Sequence, residues 1–379
     1  MRVVVVSGIW PPDVGGPASH APDVAAFLLS RGHRVEVVTT AKRAPEPRAY
    51  PVRWISRRLP KGFIHLRTAG EIARRAADAD VIYTTGMFGR SAAGAFAARR
   101  PYVVKLTADP AFERARRRSM VGGDVDEFQR LDGGPAVRVL RSARDLELRH
   151  AAHVFTPSAY LRDLAVSWGA CADRVSVLPN PAPPLPELPP RPELRRSFEM
   201  NGETLAFAGR LTAQKSLDVA LAALARVDGV SLLIAGDGDE RDPLERRAAE
   251  LGVAGRVRFL GPQPRGRVLE LFRAADAVVL SSSWENFPHA VVEALAVGTP
   301  VLATMTGGVA EVVRDGENGL LVPAGDADAL GQALRRYFAD GALRERLRAA
   351  AAPSVADYAP ERILGRLEET LLRVTHTSK

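Results

Sequence analysis

The sequence predicts an α/β protein made of two domains, each a doubly wound parallel sheet flanked by helices. Three observations support this prediction. Strand-like and helix-like segments alternate along the chain, a proline-rich stretch interrupts the alternation, and 379 residues exceed what one ordinary hydrophobic core holds. Open sheets of this kind bind ligands at the carboxyl ends of their strands, so a hinge between two of them predicts a cleft in which both halves hold a ligand.

The first half opens with "RVVVVSG", a β-branched run typical of a strand that is buried on both faces. A Gly/Pro loop, a helix that stops at Gly32 and a second strand, "RVEVVTT", follow it. Further strand-like runs occur at 79–86, 101–109 and 151–158. Strands that alternate with helices in this way favour a parallel sheet.

The middle of the chain is rich in proline. Residues 179–192 contain eight prolines, which are incompatible with a helix interior or a central strand and predict a stiff linker. The alternation restarts at "ETLAFAGR" and ends in an amphipathic helix. We therefore expect a first domain at 1–180, a linker at 181–200, a second domain at 201–355 and a terminal helix within 356–379.

Composition excludes several classes of protein. Cys171 is the one cysteine, so neither a disulfide framework nor a multi-cysteine metal site is expected. The apolar run at the N-terminus is too short for a signal peptide, and no run approaches a membrane span, which predicts a cytoplasmic protein with at most peripheral membrane contact. The net charge is +8, yet no nucleic-acid-binding module is recognisable, so no nucleic acid partner is expected.

The stretch "SSSWENFPHAVVEALAVGTPV" places Glu285 and Glu293 eight positions apart. Asn286 is a candidate helix N-cap and Pro288 suits the first helical position, so Glu285 is expected at the helix mouth and Glu293 inside the helix. The amide groups near Phe287 would then form an anion site with a carboxylate on each flank. A nucleotide sugar, with ribose, diphosphate and hexose in line, matches this arrangement. The alternative is that Glu285 merely interacts with the helix dipole and Glu293 is solvated.

Two further loops follow strands. "FAGRLTAQKS" carries Arg210 and Lys215, which are well placed to bind a diphosphate, although two surface cations on a loop are common. The loop after the first strand contains Gly15 and Gly16, whose conformational freedom permits close backbone approach to a ligand. No GxGxxG fingerprint follows that strand, so a nicotinamide-dependent oxidoreductase is not expected.

Together these segments resemble the retaining glycosyltransferases of family 4, which have the GT-B fold of two Rossmann-like domains. Glu285 and Glu293 form the E-x7-E motif of that family. The resemblance covers nearly the whole chain and includes "PPDVGGPASHAPDVAAFLLSRGHRVEVVTT", "FAGRLTAQKS", "AGDGDERDPLE", "VRFLGPQPRGRVLELFRAADAVVLSSSWENFPHAVVEALAVGTPV" and "GGVAEVVRDGENGLLVPAGD".

The resemblance implies a role for each matching position. Glu293 would bind the ribose hydroxyls of the donor, and Glu285 would contact hydroxyls of the transferred sugar. Arg210 and Lys215 would neutralise the departing diphosphate. Three further sets of positions would bind the donor. Gly15 and Gly16 match the phosphate loop, and Gly261 and Pro262 match the nucleobase pocket. Asn286, Phe287 and Pro288 match the helix mouth. The resemblance also implies that the first domain binds the acceptor and the second binds the nucleotide-sugar donor. The terminal helix would cross back and complete the first domain.

This chain departs from the family near the reaction centre. Many members carry a histidine after the strand that corresponds to "PYVVKL", where this chain has Thr107, Ala108 and Asp109. A similar subset has an aspartate there, so Asp109 is a candidate for orienting the acceptor hydroxyl or holding a sugar hydroxyl. A helix N-cap is the equally credible alternative. His20, on the glycine loop, is a candidate contact for the sugar or acceptor.

No metal or other cofactor is expected. The histidines lack metal-binding spacing, and Asp124 and Asp126 lie away from the expected phosphate site. Arg210 and Lys215 would supply the positive charge instead.

The expected activity is transfer of a hexosyl unit from a UDP-, GDP-, ADP- or dTDP-sugar to an acceptor hydroxyl, with retention at the anomeric carbon. The acceptor is a small molecule or a glycan. Acidic residues at 124–132 favour a cationic acceptor of the aminocyclitol or aminoglycoside type, whereas the arginines at 114–118 favour a phosphorylated or lipid-linked one, as in cell-envelope polysaccharide or glycolipid synthesis. The alternatives are a nucleotide-sugar epimerase of GT-B fold and a catalytically silent nucleotide-sugar-binding protein.

Overall fold

The computed structural model describes residues 1–13 and 16–377. The chain divides into two compact units. Unit 1 contains Met1–Pro179 together with the terminal helix from Glu361 onward, and unit 2 is Asn180–Pro360.

Unit 1 is built on a parallel sheet in which the described residues form seven strands in the order β3-β2-β1-β4-β5-β6-β7. The strands are β1 (Arg2–Ser7), β2 (Arg34–Ala41), β3 (Val52–Ser56), β4 (Val81–Thr84), β5 (Tyr102–Lys105), β6 (His153–Thr156) and β7 (Val175–Val177). Val5 of β1 is aligned with Val37 of β2 on one side and with Tyr83 of β4 on the other. The strand order reverses between β1 and β4, which opens a crevice at the carboxyl ends of these two strands.

Helices cover both faces of this sheet. They are α1 (Gly16–Ser30), α2 (Lys61–Ala76), α3 (Phe88–Ala98), α4 (Pro110–Arg117), α5 (Val125–Arg130), α6 (Pro135–Arg149) and α7 (Ala159–Ser167). Successive side chains of a strand point to opposite faces, so the continuous apolar runs of the sequence supply two separate cores. Val4 and Val6 of β1 belong to one core, and Val3 and Val5 belong to the other.

Unit 2 repeats the plan with six described parallel strands in the order β10-β9-β8-β11-β12-β13. The strands are β8 (Glu203–Ala208), β9 (Val230–Ala235), β10 (Val257–Gly261), β11 (Ala277–Leu280), β12 (Val301–Thr304) and β13 (Gly319–Val322). The helices are α8 (Arg191–Ser197), α9 (Leu217–Leu224), α10 (Arg241–Glu250), α11 (Arg265–Ala274), α12 (His289–Ala296), α13 (Ala327–Ala339) and α14 (Gly341–Ser354). The strand order reverses here between β8 and β11.

The proline-rich stretch differs from the expected linker at 181–200, because α8 lies within it. Pro190 occupies the N-cap of α8 and Pro192 lies in its first turn, where a missing N–H is tolerated. Leu194 and Phe198 are buried in a core of unit 2. Residues from 191 onward therefore belong to the packed second unit, and the sequence overestimated the length of the linker.

The terminal helix, α15 (Pro360–Thr377), completes a core of unit 1. Its Leu367 and Leu371 are fully buried in the core that contains Leu28 of α1. Glu368 of the same helix accepts from His33 Nε2 at 2.7 Å. Among the described helices, none is long and apolar enough to cross a membrane.

Candidate functional site

The crevice of unit 2 lies where β8 and β11 are neighbours but continue into loops on opposite sides. Gly209 and Arg210 follow β8, and Ser281 and Ser282 follow β11. Arg210 is exposed at this edge. Lys215 ends a short 3₁₀ turn, Ala213–Lys215, whose carbonyl at Lys215 accepts from Ser281 Oγ at 2.9 Å. The strand order therefore places both predicted cations at the edge of the sheet where a ligand is expected.

Three glycines form the floor of this edge. Gly209, Gly236 and Gly261 lie at the carboxyl ends of β8, β9 and β10, and their backbones stay hydrogen-bonded: Gly209 N–H donates to Ala235 O at 3.0 Å, and Gly236 N–H donates to Gly261 O at 2.8 Å. A Cβ on Gly236 would lie 1.8 Å from the carbonyl oxygen of Gly209. Only a residue without a side chain therefore fits at Gly236, and backbone atoms line this part of the edge. Gly261, predicted for the nucleobase pocket together with Pro262, lies at the β10 end of this floor.

Glu285 is buried, with 6% of its surface exposed, and its charge is compensated locally. Lys215 Nζ donates to Glu285 Oε1 in an ion pair, and Ser282 Oγ donates to the same oxygen at 2.8 Å. A buried carboxylate requires such partners, because desolvation of an unpaired charge is very costly. The structure therefore joins two of the predicted catalytic residues, Lys215 and Glu285, in one cluster.

The loop after β12 fixes the backbone of Glu285. Gly308 N–H donates to Glu285 O at 3.0 Å. Gly307 has a φ of +49°, and a Cβ there would lie 1.8 Å from the same carbonyl oxygen. Sequence reasoning assigned no role to Gly307 or to Ser282. Each lies inside a segment that carried the family resemblance, but their contact with Glu285 depends on the folded structure.

The mouth of α12 corrects one prediction. The helix begins at His289 with Pro288 at the N-cap, and Asn286 is not its cap. An N-cap side chain accepts from the amide of the second or third following residue, and for Asn286 the first of these is Pro288, which has no N–H. Oδ1 of Asn286 is instead buried, and none of the described residues donates a hydrogen bond to it. Phe287, 8% exposed, packs against Tyr358.

Glu293 lies within α12 and is largely buried, with 17% of its side chain exposed. Burial raises the pKa of its carboxyl, and the guanidinium of Arg265 opposes this effect. Arg265 Nη2 lies 3.0 Å from Glu293 Oε1. Arg265, the first residue of α11, was missed because its partner is 28 residues away in the sequence.

Asp109 lies in unit 1, and its environment is that of a helix cap. Its Oδ1 accepts from the amides of Ala111 and Phe112, at the start of α4. Its Oδ2 accepts from Gln129 Nε2 at 3.0 Å and from Arg144 Nη1 at 2.8 Å. The side chain has no exposed surface. The structure thus favours the cap, the alternative role, over a contact with substrate, because all of its acceptor positions are engaged by the protein.

The remaining candidates of unit 1 lie at the end of β1 and the start of α1. Gly15 lies outside the described residues, and Gly16 is the first residue of α1. His20 is within α1 and not on the preceding loop, and its Nε2 is 2.8 Å from the hydroxyl of Tyr83. Burial raises the pKa of Tyr83 well above its usual value, so its neutral hydroxyl holds His20 against the sheet.

Known structures with the same architecture identify the class. The structure of Anabaena Alr3699/HepE in complex with UDP-glucose matches with a TM-score of 0.79 at 23% identity, over 98% of this chain and 100% of that one. Sucrose-phosphate synthase from Thermosynechococcus elongatus matches with a TM-score of 0.80 at 20% identity, over 99% of each chain. The fold is therefore that of the GT-B glycosyltransferases, as the sequence predicted.

Sequence comparison identifies the family. The profile described as "Glycosyl transferases group 1" matches residues 191–353, and that described as "Glycosyl transferase 4-like domain" matches residues 15–181. D-inositol 3-phosphate glycosyltransferase from Acidothermus cellulolyticus is 30% identical over an alignment 400 residues long, including gaps. The alignment covers 95% of this chain and 86% of that protein. The chain belongs to the group 1 glycosyltransferase family, which confirms the resemblance on which the sequence analysis relied.

One relative is more similar over a shorter span. Lipopolysaccharide core biosynthesis glycosyltransferase LpsE from Rhizobium meliloti is 44% identical over 139 residues. That match spans 37% of this chain and 40% of LpsE, less than half of either protein.

Proposed function

We propose that this glycosyltransferase moves a hexosyl unit from a nucleotide diphosphate sugar to an acceptor hydroxyl with retention at the anomeric carbon. The observation that carries the proposal is the buried ion pair of Lys215 and Glu285 at the crevice of unit 2. In this pair a cation, which we assign to the diphosphate, lies directly beside a carboxylate, which we assign to the sugar. Arg210, exposed at the same edge, adds a second cation.

The cations act on the leaving group. Negative charge grows on the diphosphate as the glycosidic bond breaks, so Lys215 and Arg210 stabilise the transition state more than the ground state. Lys215 Nζ has three N–H donors, of which Glu285 and the diphosphate would each engage at least one. Glu285, held in place by Ser282 and by the backbone contact with Gly308, accepts hydrogen bonds from hydroxyls of the transferred hexose.

The other groups hold the donor. Glu293 accepts hydrogen bonds from the ribose hydroxyls, and the glycine floor that ends at Gly261 and Pro262 leaves room for the base. The first turn of α12 favours an anion electrostatically. The buried Oδ1 of Asn286 lacks a donor among the described residues, and a donor hydroxyl would supply one.

No divalent cation enters this mechanism. The positive charge that stabilises the diphosphate is assigned to Arg210 and Lys215. The departing phosphate oxygen then takes the proton of the acceptor hydroxyl on the same face of the sugar, which accounts for retention without a covalent intermediate.

The comparisons support particular substrate classes. HepE was crystallised with UDP-glucose, which makes a UDP-sugar the first donor to test, ahead of GDP-, ADP- and dTDP-sugars. The relatives named for D-inositol 3-phosphate and for lipopolysaccharide core synthesis support a polyhydroxylated acceptor, either a small molecule or a glycan.

The experiment is a comparison of Lys215→Ala with the wild type and with Lys42→Ala, which removes an exposed lysine of unit 1. Release of UDP from UDP-glucose is measured together with UDP affinity, and the product's anomeric proton is examined by NMR. We expect Lys215→Ala to lower turnover by about 10³-fold while UDP affinity falls much less. Equal losses of turnover and affinity, or a product of inverted configuration, would contradict the proposal. A changed sugar nucleotide formed without acceptor would indicate an epimerase, and binding without turnover would indicate a silent protein.

A further inference from the structure

Unit 1 contains a group of charged residues to which the proposed mechanism assigns no role. We define the arginine cluster as His65 of α2, Arg90 of α3, Arg114 of α4 and Glu147 of α6. Arg90 lies in the first turn of α3, directly after the loop that follows β4. That loop touches the loop after β1, because a Cβ on Gly86 would lie 3.3 Å from the amide nitrogen of Gly8. The arginine cluster therefore adjoins the reversal of strand order, where an open sheet binds its ligand.

The arginine cluster has more positive than negative charge. Arg114 Nη1 lies 3.9 Å from Glu147 Oε1, so the single carboxylate of the cluster is associated with Arg114. Nη1 of Arg90 is buried, and none of the described residues accepts a hydrogen bond from it. Burial and the proximity of Arg114 both lower the pKa of Arg90, and burial with these two guanidinium groups lowers the pKa of His65.

A buried guanidinium nitrogen without an acceptor is costly, and native structures rarely leave one. Asp109 cannot relieve it, since both oxygens of that carboxylate are already engaged and it pairs with Arg144. The two neighbouring guanidinium groups would both be satisfied by an anion with several oxygens. A phosphate fits best, because each arginine presents a planar fork that matches two phosphate oxygens.

Two acceptor atoms, one in the arginine cluster and one on the loop that leads from β4 to α3, are also unsatisfied. Oε2 of Glu147 and Oγ1 of Thr85, the residue after β4, are buried without a hydrogen-bond partner among the described residues. Burial raises the pKa of Glu147, and Arg114 opposes this. Hydroxyl groups of a ligand would donate to Glu147 while its anionic group bound the arginines.

We infer that the arginine cluster is a subsite for the acceptor, and that the acceptor is a polyhydroxylated compound bearing a phosphate. The phosphate binds Arg90 and Arg114, and hydroxyls of the same molecule bind Glu147 and Thr85. The inference rests on the proposed function, in which unit 2 holds the donor and unit 1 is left to bind the acceptor. The phosphate belongs to a free metabolite or to the headgroup of a phospholipid, because both offer the same chemistry.

Binding is tested without a donor, so that the result does not depend on unit 2. Calorimetric titrations use myo-inositol 1-phosphate and glucose 6-phosphate, each against its unphosphorylated parent. Co-sedimentation with phosphatidylcholine vesicles that contain phosphatidylinositol provides the lipid arm. The variants are Arg90→Gln, Arg90→Lys, Arg117→Gln as an exposed control on α4, and Arg210→Gln as a control at the unit 2 site.

We expect a phosphorylated probe to bind and its parent to bind at least tenfold more weakly. Arg90→Gln should reduce this affinity at least tenfold and Arg90→Lys should recover part of it, whereas Arg117→Gln and Arg210→Gln should stay within twofold of the wild type. Whichever probe binds, the soluble phosphorylated compound or the vesicle, identifies the source of the phosphate. Without ligand, Arg90→Gln should melt no lower than the wild type, because it removes a half-buried guanidinium group whose Nη1 has no acceptor among the described residues.

Three results would overturn the inference: no binding in either arm, equal affinity for phosphorylated and unphosphorylated probes, or losses that follow Arg210 instead of Arg90. A lower melting temperature for ligand-free Arg90→Gln would mean that Arg90 is structural. UDP affinity, measured on the same preparations, tests the proposed function separately, since a failure there leaves the phosphate titrations unaffected.

Discussion

The carboxylate of Glu293 is the residue whose protonation controls the proposed donor site most directly. It must be ionised to accept hydrogen bonds from both ribose hydroxyls, and burial raises its pKa above the ordinary value for glutamate. Arg265 opposes that rise and orients the carboxylate through its contact at 3.0 Å. Lowering the pH below neutrality should therefore weaken donor binding by protonating Glu293.

We predict that UDP affinity falls as pH is lowered from 7 through the raised pKa of Glu293. In Glu293→Gln, affinity should be about tenfold lower at neutral pH and should lack this part of the pH dependence. Titration calorimetry between pH 5 and pH 8 measures both. An unchanged pH profile in Glu293→Gln would show that a different group controls the binding.

Lys105 gives a second prediction for a single residue, and it concerns stability. Its ammonium group is fully buried in β5, donates to the carbonyl oxygen of Leu178, and has a pKa lowered to about 7, by burial first and by Arg366 second. The unfolded chain keeps this lysine protonated up to its ordinary pKa of 10.5, so the folded state binds fewer protons between about pH 7 and pH 10.5. Within that window stability rises with pH, by at most about 1.4 kcal/mol per unit from this group.

Lys105→Met removes the group that titrates. The stability of the variant relative to the wild type should therefore fall steadily as pH rises from 7 to 10. The lost hydrogen bond to Leu178 adds a difference in stability that does not depend on pH. Parallel thermal and chemical unfolding of both proteins over this range is the measurement. A stability difference that does not change with pH would mean that Lys105 stays protonated in the folded protein.

At the scale of elements, the loop after β12 determines where Glu285 lies. Gly307 combines a left-handed backbone with direct contact to the Glu285 carbonyl, whereas Gly316, with a φ of +73°, has open space within 4 Å of the position that a Cβ would occupy. An alanine at Gly316 would therefore cause backbone strain alone, whereas an alanine at Gly307 would cause both backbone strain and steric overlap. The two glycines form a matched pair for testing whether this loop supports the site.

Gly307→Ala should reduce turnover and UDP affinity by an order of magnitude or more, because the added methyl group displaces the loop that carries Glu285. Gly316→Ala experiences the same kind of backbone strain, about 1 kcal/mol, and should leave both quantities within twofold of the wild type. Steady-state kinetics and melting temperatures distinguish the two effects. Equal kinetic losses in the two variants would refute the role of the loop.

The sequence predicted Arg210 and Lys215 on a loop after a strand and Glu285 at the mouth of a helix, because that information is local. Prediction from the sequence failed where a contact between distant segments determines the role of a residue. The pattern at Asp109 fits a cap and a catalytic residue equally, and they are distinguished by contacts of the folded chain, such as that with Arg144, 35 positions away. Asn286 fits a cap by residue type, but the helix begins later, at His289 with Pro288 at the N-cap. Arg265 and Ser282 had no signal of their own.

At the scale of the whole molecule, alternation of strands and helices was enough to predict two parallel-sheet units, since periodicity and loop composition are properties of the entire chain. The length of the linker was not predictable, because the burial of Leu194 and Phe198 depends on their packing in unit 2. The terminal helix shows the same dependence. Its apolar residues, including the fully buried Leu367 and Leu371, complete a core whose other members lie in the first half of the chain.

Leu367→Ala should destabilise unit 1 by about 2–5 kcal/mol, because it leaves a cavity in that core, and should leave unit 2 unaffected. Hydrogen exchange should then quicken in peptides from β1 and β4 but not in those from β8 and β11. Leu372→Ala, at a half-buried position of the same helix, is the control and should have a much smaller effect. Faster exchange in both units would contradict the assignment of α15 to unit 1 alone.

The central claim is that a nucleotide diphosphate sugar binds unit 2 without a metal ion. The most direct test is a calorimetric screen of UDP, GDP, ADP and dTDP and their common sugar conjugates in the presence of EDTA. We predict one tight nucleotide, with affinity weakened in both Glu293→Gln and Arg210→Gln and unchanged when Mg²⁺ replaces EDTA. Failure of every nucleotide to bind in EDTA, followed by binding once Mg²⁺ is added, would contradict the claim.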